Sequence, residues 1–387
     1  MFLKRLKLTN FRNYPSLDFE FTTPLTILLG NNAQGKSNFL ESIYLLATTK
    51  SPKADRDEEI IKNGEETLHV EAVVLGDAVT PESSQERVEE TVLQIAMQRT
   101  ETGLLKRVKV NGIGRRVVDY IGNLTVVSFS PEDINLVTGS PSLRRWHIDL
   151  TLAQIDREYK TALTNYEEVV VRKNKLLKMI REGLSRVEEL DFWLERQVEY
   201  GKVVTAKRLE FFTFLNSQGK KFGDFRFDYL MSEVSKERLS EYQSREIASA
   251  TSLVGPHRDD FIFKLEDRDL SKYGSRGEHR TAVLDLKISE ASFVENKLGN
   301  RPILLLDDVF SELDNAHKAH VVELVRLQQT VIAGVDLEDL IINELPEARI
   351  YRVKRGGVTY SEIAKPNEKA GKLPRQPKVL PEVRIET

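Results

Sequence analysis

The chain has 387 residues, 40% of them hydrophobic and 30% charged, and a length of this order calls for more than one core or lobe. A formal net charge of −3 excludes a protein coated in positive charge, so any nucleic-acid surface has to gather its cations locally. There is no cysteine, which excludes disulfides, thiolate zinc sites and cysteine nucleophiles and fits a cytoplasmic location.

In chain order, "FLKRLKLTNF" and "SLDFEFT" alternate like strands and read as an antiparallel pair leading into Leu25–Leu29. Met1–Asn10 has no signal-peptide character, and Leu25–Leu29 and Ile303–Leu306 are strand-length, so no membrane association is expected. Residues 67–75 and 91–99 are further strands, with the polar stretch Pro81–Glu90 as the loop between them. "RVKVNGIGRR" carries an Asn-Gly turn at Asn111 and Gly112, and "NLTVVSFSPEDI" is one more strand ending at a loop. Ser140-Pro141 is a helix start, and long apolar-periodic segments follow, with Gly183 marking a reversal between two helices. Aromatic and β-branched residues interrupt any strict heptad, so this is a helical lobe or short arm. Strand texture returns near Phe225 and runs through "DDFIFKLEDRDL". The tail from Lys365 onward holds four prolines, many charges and few large apolar groups, and reads as flexible.

Chemistry concentrates in three places. Gly30–Ser37, "GNNAQGKS", fits the phosphate-loop pattern between an apolar strand and an amphipathic helix. Its glycines let successive N–H groups point at phosphates, and the helix adds its positive end. Lys36 places a charge on the β- and γ-phosphates, and the Ser37 hydroxyl takes one Mg²⁺ position. Gly30, Asn31, Asn32, Ala33, Gln34, Gly35, Lys36, Ser37 and Asn38 are therefore the candidate cofactor-binding stretch. The second place is "PILLLDDVFSELD", residues 302–314, a buried strand with two carboxylates at its C-terminal end, where open α/β sheets bind ligands. Asp307 holds Mg²⁺ directly or through water, and Asp308 orients or deprotonates the attacking water. No Asn-Lys-x-Asp sequence is present, which points to an adenine rather than a guanine nucleotide. The third is "SRGEHRTAVLDLKISEA", where Ser275 and Gly277 open a helix and offer a second anion site. One nucleotide needs one phosphate loop, so this helix end is expected to meet the loop of another copy.

These elements, together with "LTNFRNY" (8–14), "FSPEDINLVTGSPSLRRWHID" (129–149) and "LVGPHRDDF" (253–261), resemble the ABC-type ATPase heads of the SMC and Rad50 class, and within it the RecF family. The resemblance implies an α/β fold: an ABC-type ATPase head with a P-loop and mixed sheet over 1–140 and 225–364, an inserted helical lobe over 141–224, and a tail over 365–387. It implies ATP and Mg²⁺ as cofactors and an ATP-dependent homodimer that closes on gapped DNA. Ser275 and Gly277 then cap the γ-phosphate held by the other protomer, the turn from Ser311 to Asp314 crosses the interface, and Arg12 lies near the nucleotide. RecR and RecO are the implied partners, in placing RecA recombinase on single strands. The insertion between the nucleotide motifs is too short for the long coiled coil of SMC proteins.

Three departures from the family pattern stand out. Glu278 and His279 replace the usual glutamines of the Ser-x-Gly-Gln-Gln-Arg signature, and a carboxylate there weakens closure unless it points away. Ala333 and Gly334, in "TVIAGVDLED", leave no side chain to sense the γ-phosphate. The tail beyond Glu362 has no family counterpart.

Other residues carry open alternatives. His257 reads as a structural, hydrogen-bonded histidine, and His317 and His320 as solvent-exposed rather than metal ligands. Arg144 and Arg145 either contact DNA phosphates or lock the lobe to the head. Three basic groups, around Lys106–Arg116, Arg172–Lys178 and Lys202–Arg208, are either DNA contacts or solvated faces balanced by glutamates. The function expected is that of a soluble DNA-dependent ATPase, slow at hydrolysis, with Lys36 and Asp308 as catalytic residues. The alternatives are the ATPase subunit of a membrane transporter and a structural clamp that binds ATP without turnover.

Overall fold

The computed structural model describes residues 1–78, 87–219, 222–313, 315–335, 345 and 347–361. The chain opens with β1 (Phe2–Phe11), β2 (Tyr14–Glu20), β3 (Leu25–Leu29) and helix α1 (Lys36–Thr48). Four strands follow, β4 (Thr67–Ala78), β5 (Arg87–Thr100), β6 (Gly103–Val110) and β7 (Ile113–Arg115), then the short α2 (Val117–Tyr120) and β8 (Val126–Phe129). The helical section holds the short α3 (Asn135–Thr138), α4 (Pro141–Ile155), α5 (Arg157–Arg181) and α6 (Asp191–Ser217). Next come β9 (Phe225–Leu230), α7 (Lys236–Ser249), β10 (Asp260–Leu265), β11 (Arg268–Asp269), α8 (Leu270–Tyr273) and α9 (Arg276–Leu298). The chain closes with β12 (Ile303–Asp307), α10 (Asn315–Val325), β13 (Thr330–Gly334), β14 (Arg349–Lys354) and β15 (Gly357–Tyr360).

The central sheet has the order β15-β14-β3-β13-β12-β8, and all its neighbours are parallel except β14 and β15. Its inner strands β3, β13 and β12 are almost wholly apolar because both faces are covered, whereas β14 carries exposed Arg349, Arg352 and Lys354 beside buried Ile350 and Val353. On β12, Ile303 and Leu305 point into one core and Leu304 and Leu306 into the other. The first core lies under α1 and an antiparallel sheet of order β2-β1-β4-β5-β6-β7, and joins Phe39, Ile43 and Leu46 to Leu6, Val70 and Ile95. The second lies under α9 and takes in Ile148, Leu152, Phe211, Phe212, Phe261 and Phe293. Helices α4 and α6 therefore share one continuous core with the central sheet.

The helical section starts as its sequence indicates, with the Ser140 hydroxyl accepting from the Leu143 N–H. Asp156 caps α5 in the same way, through the Tyr159 N–H at 2.8 Å. At 25 residues α5 is ~37 Å long, and the chain turns back at Gly183. The base of the arm is locked by ions. Arg208, 1% exposed, donates to Asp259 (2.8 Å), Asp149 (2.7 Å), the Pro256 carbonyl and the Tyr159 hydroxyl. Arg144 forks onto Asp260 at 2.6 and 2.9 Å, and Arg145 donates to the Asp259 carbonyl. Both arginines thus tie the helical section to the head.

Two local expectations change. Strand β5 begins at Arg87, so residues 87–90 are paired strand rather than loop, in register from Ala78↔Arg87 to Leu75↔Glu90. Cross-strand pairing outweighs the polar composition there; residues 79–86 lie outside the described residues. Helix α7 interrupts the stretch read as strand and turn. Ser235 caps it, but Leu239 is its one buried apolar side chain, too thin a stripe to announce a helix. The tail over 365–387 and Asp314 also lie outside the described residues.

Candidate functional site

Strand β3 runs between β13 and β14 and delivers Gly30 at its C-terminal end. A Cβ on Gly30 would sit 2.4 Å from the Val353 carbonyl oxygen, so only glycine lets the loop pass β14. Gly35 has φ +115°, and a Cβ there would meet Asn13 at 2.6 Å. The loop is braced from outside. Asn13 donates to the Gln34 carbonyl (3.0 Å) and accepts from Asn38, and the Tyr14 hydroxyl donates to the Gly35 carbonyl (2.9 Å). From the β14–β15 turn, the Gly356 N–H donates to the Gln34 carbonyl and the Arg355 N–H to its side chain. The Lys36 ammonium, almost buried, spans the loop onto the Gly30 and Asn31 carbonyls at 2.7 and 3.1 Å. No side chain caps the amino end of α1 at Gly35, so its first N–H groups are left for an anion.

Strand β12 brings its carboxylates to the same place. The Ser37 hydroxyl donates to Asp307 Oδ1 at 2.9 Å, and Lys53 Nζ lies 3.1 Å from Asp307 Oδ2. These hard oxygens on one loop hydroxyl and one carboxylate fit Mg²⁺, and the glycine cradle fits a polyphosphate. Asp308 takes the left-handed conformation, φ 51°, a strained choice that aspartate tolerates better than most residues. Its N–H donates to the Ala333 carbonyl, and burial, then the neighbouring Asp307, pushes its carboxyl above the usual range. That shift favours a proton acceptor.

The departures noted in the sequence have structural counterparts. Glu278 turns back onto its own helix: it accepts from the Ser275 N–H at 2.7 Å while the Ser275 hydroxyl accepts from the Glu278 N–H, a reciprocal cap. It also pairs with Arg268 at 2.9 Å. The Ser275 N–H first, and Arg268 next, hold its carboxyl down at about 2. His279 is buried and bonds the Leu270 carbonyl, which fixes the turn before α9. Gly277 is exposed, with open space around it. Ala333 and Gly334 act through their backbone, as the Gly334 carbonyl accepts from the Gly30 N–H and the Ala333 carbonyl from Asp308.

Arg12 pairs with Glu41 of α1 at 2.6 Å and donates to the Glu59 carbonyl. Its neighbours Asn13 and Tyr14, not Arg12, make the bonds to the loop. Sequence reasoning missed the roles of Asn13, Tyr14 and Lys53; the Phe-Arg-Asn-Tyr motif holds the first two, but its contact with the loop is tertiary. His257 bonds the Tyr166 hydroxyl (2.7 Å) and the Ser252 carbonyl, and burial lowers it to about 4, as a structural histidine. His317 and His320 are not simply solvent-exposed, because both rings pack on Phe222. Among the described residues no cluster of metal-ligating side chains is found.

The basic groups separate. Lys173 and Arg208 are buried in ion pairs, and Lys207 is held by Asp156 and Glu158. Lys106 pairs with Asp57 and Arg116 with Asp119. Arg107, Lys109 and Arg115, exposed on the β6–β7 edge, carry no ion pair among the described residues. No helix of the described residues is long and apolar enough to cross a membrane.

A phosphate loop after β3, paired carboxylates after the parallel β12 and a self-capped helix end at α9 together make an ABC-type nucleotide-binding head. The family model for the RecF/RecN/SMC N-terminal domain matches residues 2–335. The chain is 35% identical over 370 residues to the DNA replication and repair protein RecF of Agathobacter rectalis, covering 92% of this chain and 99% of that one. It is 36% identical to the RecF protein of Lachnoclostridium phytofermentans with the same coverage. A solved structure described as the recombination mediator protein RecF-ATP in the RecFOR pathway superposes with a TM-score of 0.81 at 30% identity, over 93% of this chain and 98% of that one. The chain belongs to the RecF family of DNA replication and repair proteins. The family replaces the transporter-subunit alternative.

Proposed function

We propose that the protein is a cytoplasmic, DNA-dependent ATPase of recombinational repair in which slow hydrolysis resets a binding switch. The observation that carries this reading is the Ser37–Asp307 hydrogen bond, which joins two motifs 270 residues apart at one point. Ser37 and Asp307 are the residues that would hold Mg²⁺, and the ion would supply charge neutralisation for the β- and γ-phosphates. The rest falls to the chain. Loop N–H groups from Asn31 to Lys36 and the open end of α1 bind the phosphates, and Lys36 moves its charge from the loop carbonyls onto them. Asp308 orients the attacking water and takes its proton.

In this reading the nucleotide is shared by two copies. The helix end at Ser275 and Gly277 meets the partner's γ-phosphate. Glu278 does not oppose closure, because its charge is spent on Arg268 and the Ser275 N–H. The closed homodimer grips gapped DNA and helps place RecA recombinase, with RecR and RecO as partners. The names borne by the relatives support the repair setting, and Arg107, Lys109 and Arg115, exposed and without an ion pair among the described residues, suit a phosphate backbone.

The test is sedimentation of the protein with ATP and Mg²⁺, with and without a gapped duplex, for wild type and Lys36→Met. The expected result is an ATP-dependent dimer that binds the duplex and is absent in the variant. A monomer under every condition removes the shared-nucleotide mechanism.

A further inference from the structure

We infer that Lys53 is a built-in counter-ion of the metal site: its ammonium neutralises Asp307 until Mg²⁺ arrives, and the two cations compete for that carboxylate. This rests on the nucleotide-site reading above and adds a positioning residue to it.

Asp307 and Asp308 are adjacent at the end of β12, and the Asp307 side chain is 7% exposed. A carboxylate so enclosed beside a second one is suited to a cation held close by. Lys36, the cation of the phosphate loop, has its ammonium on the Gly30 and Asn31 carbonyls. Among the described residues, Lys53 is the one that forms an ion pair with Asp307, at 3.1 Å on Oδ2. The other oxygen, Oδ1, already takes the Ser37 hydroxyl. One carboxylate therefore carries the two contacts that a bound metal ion would rearrange, and the ammonium of Lys53 is a monovalent substitute for it.

The surrounding loop explains how Lys53 is both held and free to leave. The Ser51 hydroxyl accepts from the backbone N–H groups of Lys53 and Ala54, both at 3.0 Å, and donates to Glu41 of α1. Glu41 is itself clamped by Arg12. The backbone at Lys53 is thus anchored to the helix that begins with Lys36 and Ser37, and these anchoring bonds do not involve its four-carbon side chain. A cavity of about 400 Å³ opens beside it, lined by Ser37, Glu41, Lys53, Glu132 and Asp307 among others. The ammonium can swing into that space without moving the loop. Its 30% exposure keeps the ion pair weak enough for a divalent ion to displace.

The experiment is a Mg²⁺ titration of fluorescent ATP-analogue binding to the full chain, for wild type, Lys53→Met, Lys53→Gln and Lys53→Arg. Removing the competing charge is expected to lower the half-saturating Mg²⁺ about two- to fivefold in the Met and Gln variants. The Arg variant is expected to keep the wild-type requirement. In EDTA, where no divalent ion replaces Lys53, the Met and Gln variants are expected to bind the analogue no more tightly than wild type, because Asp307 has lost its cation. An unchanged or raised Mg²⁺ requirement in a folded Met or Gln variant overturns the inference. So does tighter binding in EDTA, which would mean that Lys53 does not neutralise Asp307. If wild type itself shows no Mg²⁺-dependent nucleotide binding, the nucleotide-site reading falls; a missing shift with wild-type binding intact removes only the role of Lys53.

Discussion

Gly277→Ala separates a structural from a functional glycine at the start of α9. An added Cβ has nothing nearer than the Ser275 hydroxyl at 3.9 Å, and the backbone there is not left-handed. Alanine in a helix is favoured over glycine by up to ~1 kcal/mol. At ~2.1 cal/mol/K per residue, a 387-residue chain has an unfolding entropy of ~0.8 kcal/mol/K, so the melting temperature should hold or rise by about 1 °C. In the proposed dimer the same methyl group stands where the partner's phosphate approaches the first N–H groups of the helix. ATP-dependent dimerisation is therefore expected to fall at least tenfold while the monomer is as stable as before. Thermal melting and sedimentation velocity with ATP and Mg²⁺ read the two effects on one preparation. A lowered melting temperature would mean that Gly277 serves the fold. A wild-type dimer would mean that this helix end does not meet the partner's nucleotide, and either result refutes the reasoning.

Asp308→Asn should leave nucleotide binding intact, slow hydrolysis about 10²- to 10⁴-fold and accumulate DNA-bound dimers; undiminished turnover would show that Asp308 is not the base. Because burial and Asp307 raise its pKa, the ionised base is lost at a higher pH than for an ordinary carboxylate. Wild-type turnover should therefore decline on acidification before pH reaches ~4, and a flat profile down to that pH contradicts the assignment. Arg208→Met leaves Asp259 buried without its arginine and should cost about 3–5 kcal/mol, or ~4–6 °C in melting temperature; a shift under 1 °C would mean that the network carries no stability. Replacing Arg107, Lys109 and Arg115 together by alanine should weaken duplex binding at every sequence and reduce the log–log salt slope by up to ~2.7, and an unchanged slope would place DNA elsewhere.

The phosphate loop and the carboxylate strand are legible because their chemistry is local. Gly35, Lys36 and Ser37 are fixed by what a turn between strand and helix needs in order to wrap phosphates, and Ile303–Asp307 by what a doubly buried strand needs, whereas the need for glycine at Gly30 comes from the close approach of β14. The reciprocal cap at Ser275 and Glu278 is also a local pattern, yet the sequence alone left open where the Glu278 carboxylate points, since Arg268 comes from strand β11. Helix α7 escaped because it buries little apolar surface of its own and leans on the ion pair between its Glu246 and Lys173 of α5.

Sequence by itself thus determined the class of fold, the nucleotide chemistry and the family, since each rests on residues adjacent in the chain or on whole-chain similarity. Tertiary structure alone decided which charges are available for function. It buried Arg208 and Lys173, turned Arg144 and Arg145 into ties between arm and head, and set Lys53 on Asp307. Charge in a sequence is a count, whereas its availability depends on what the fold places within a few ångströms, and that distance comes from residues far apart in the chain.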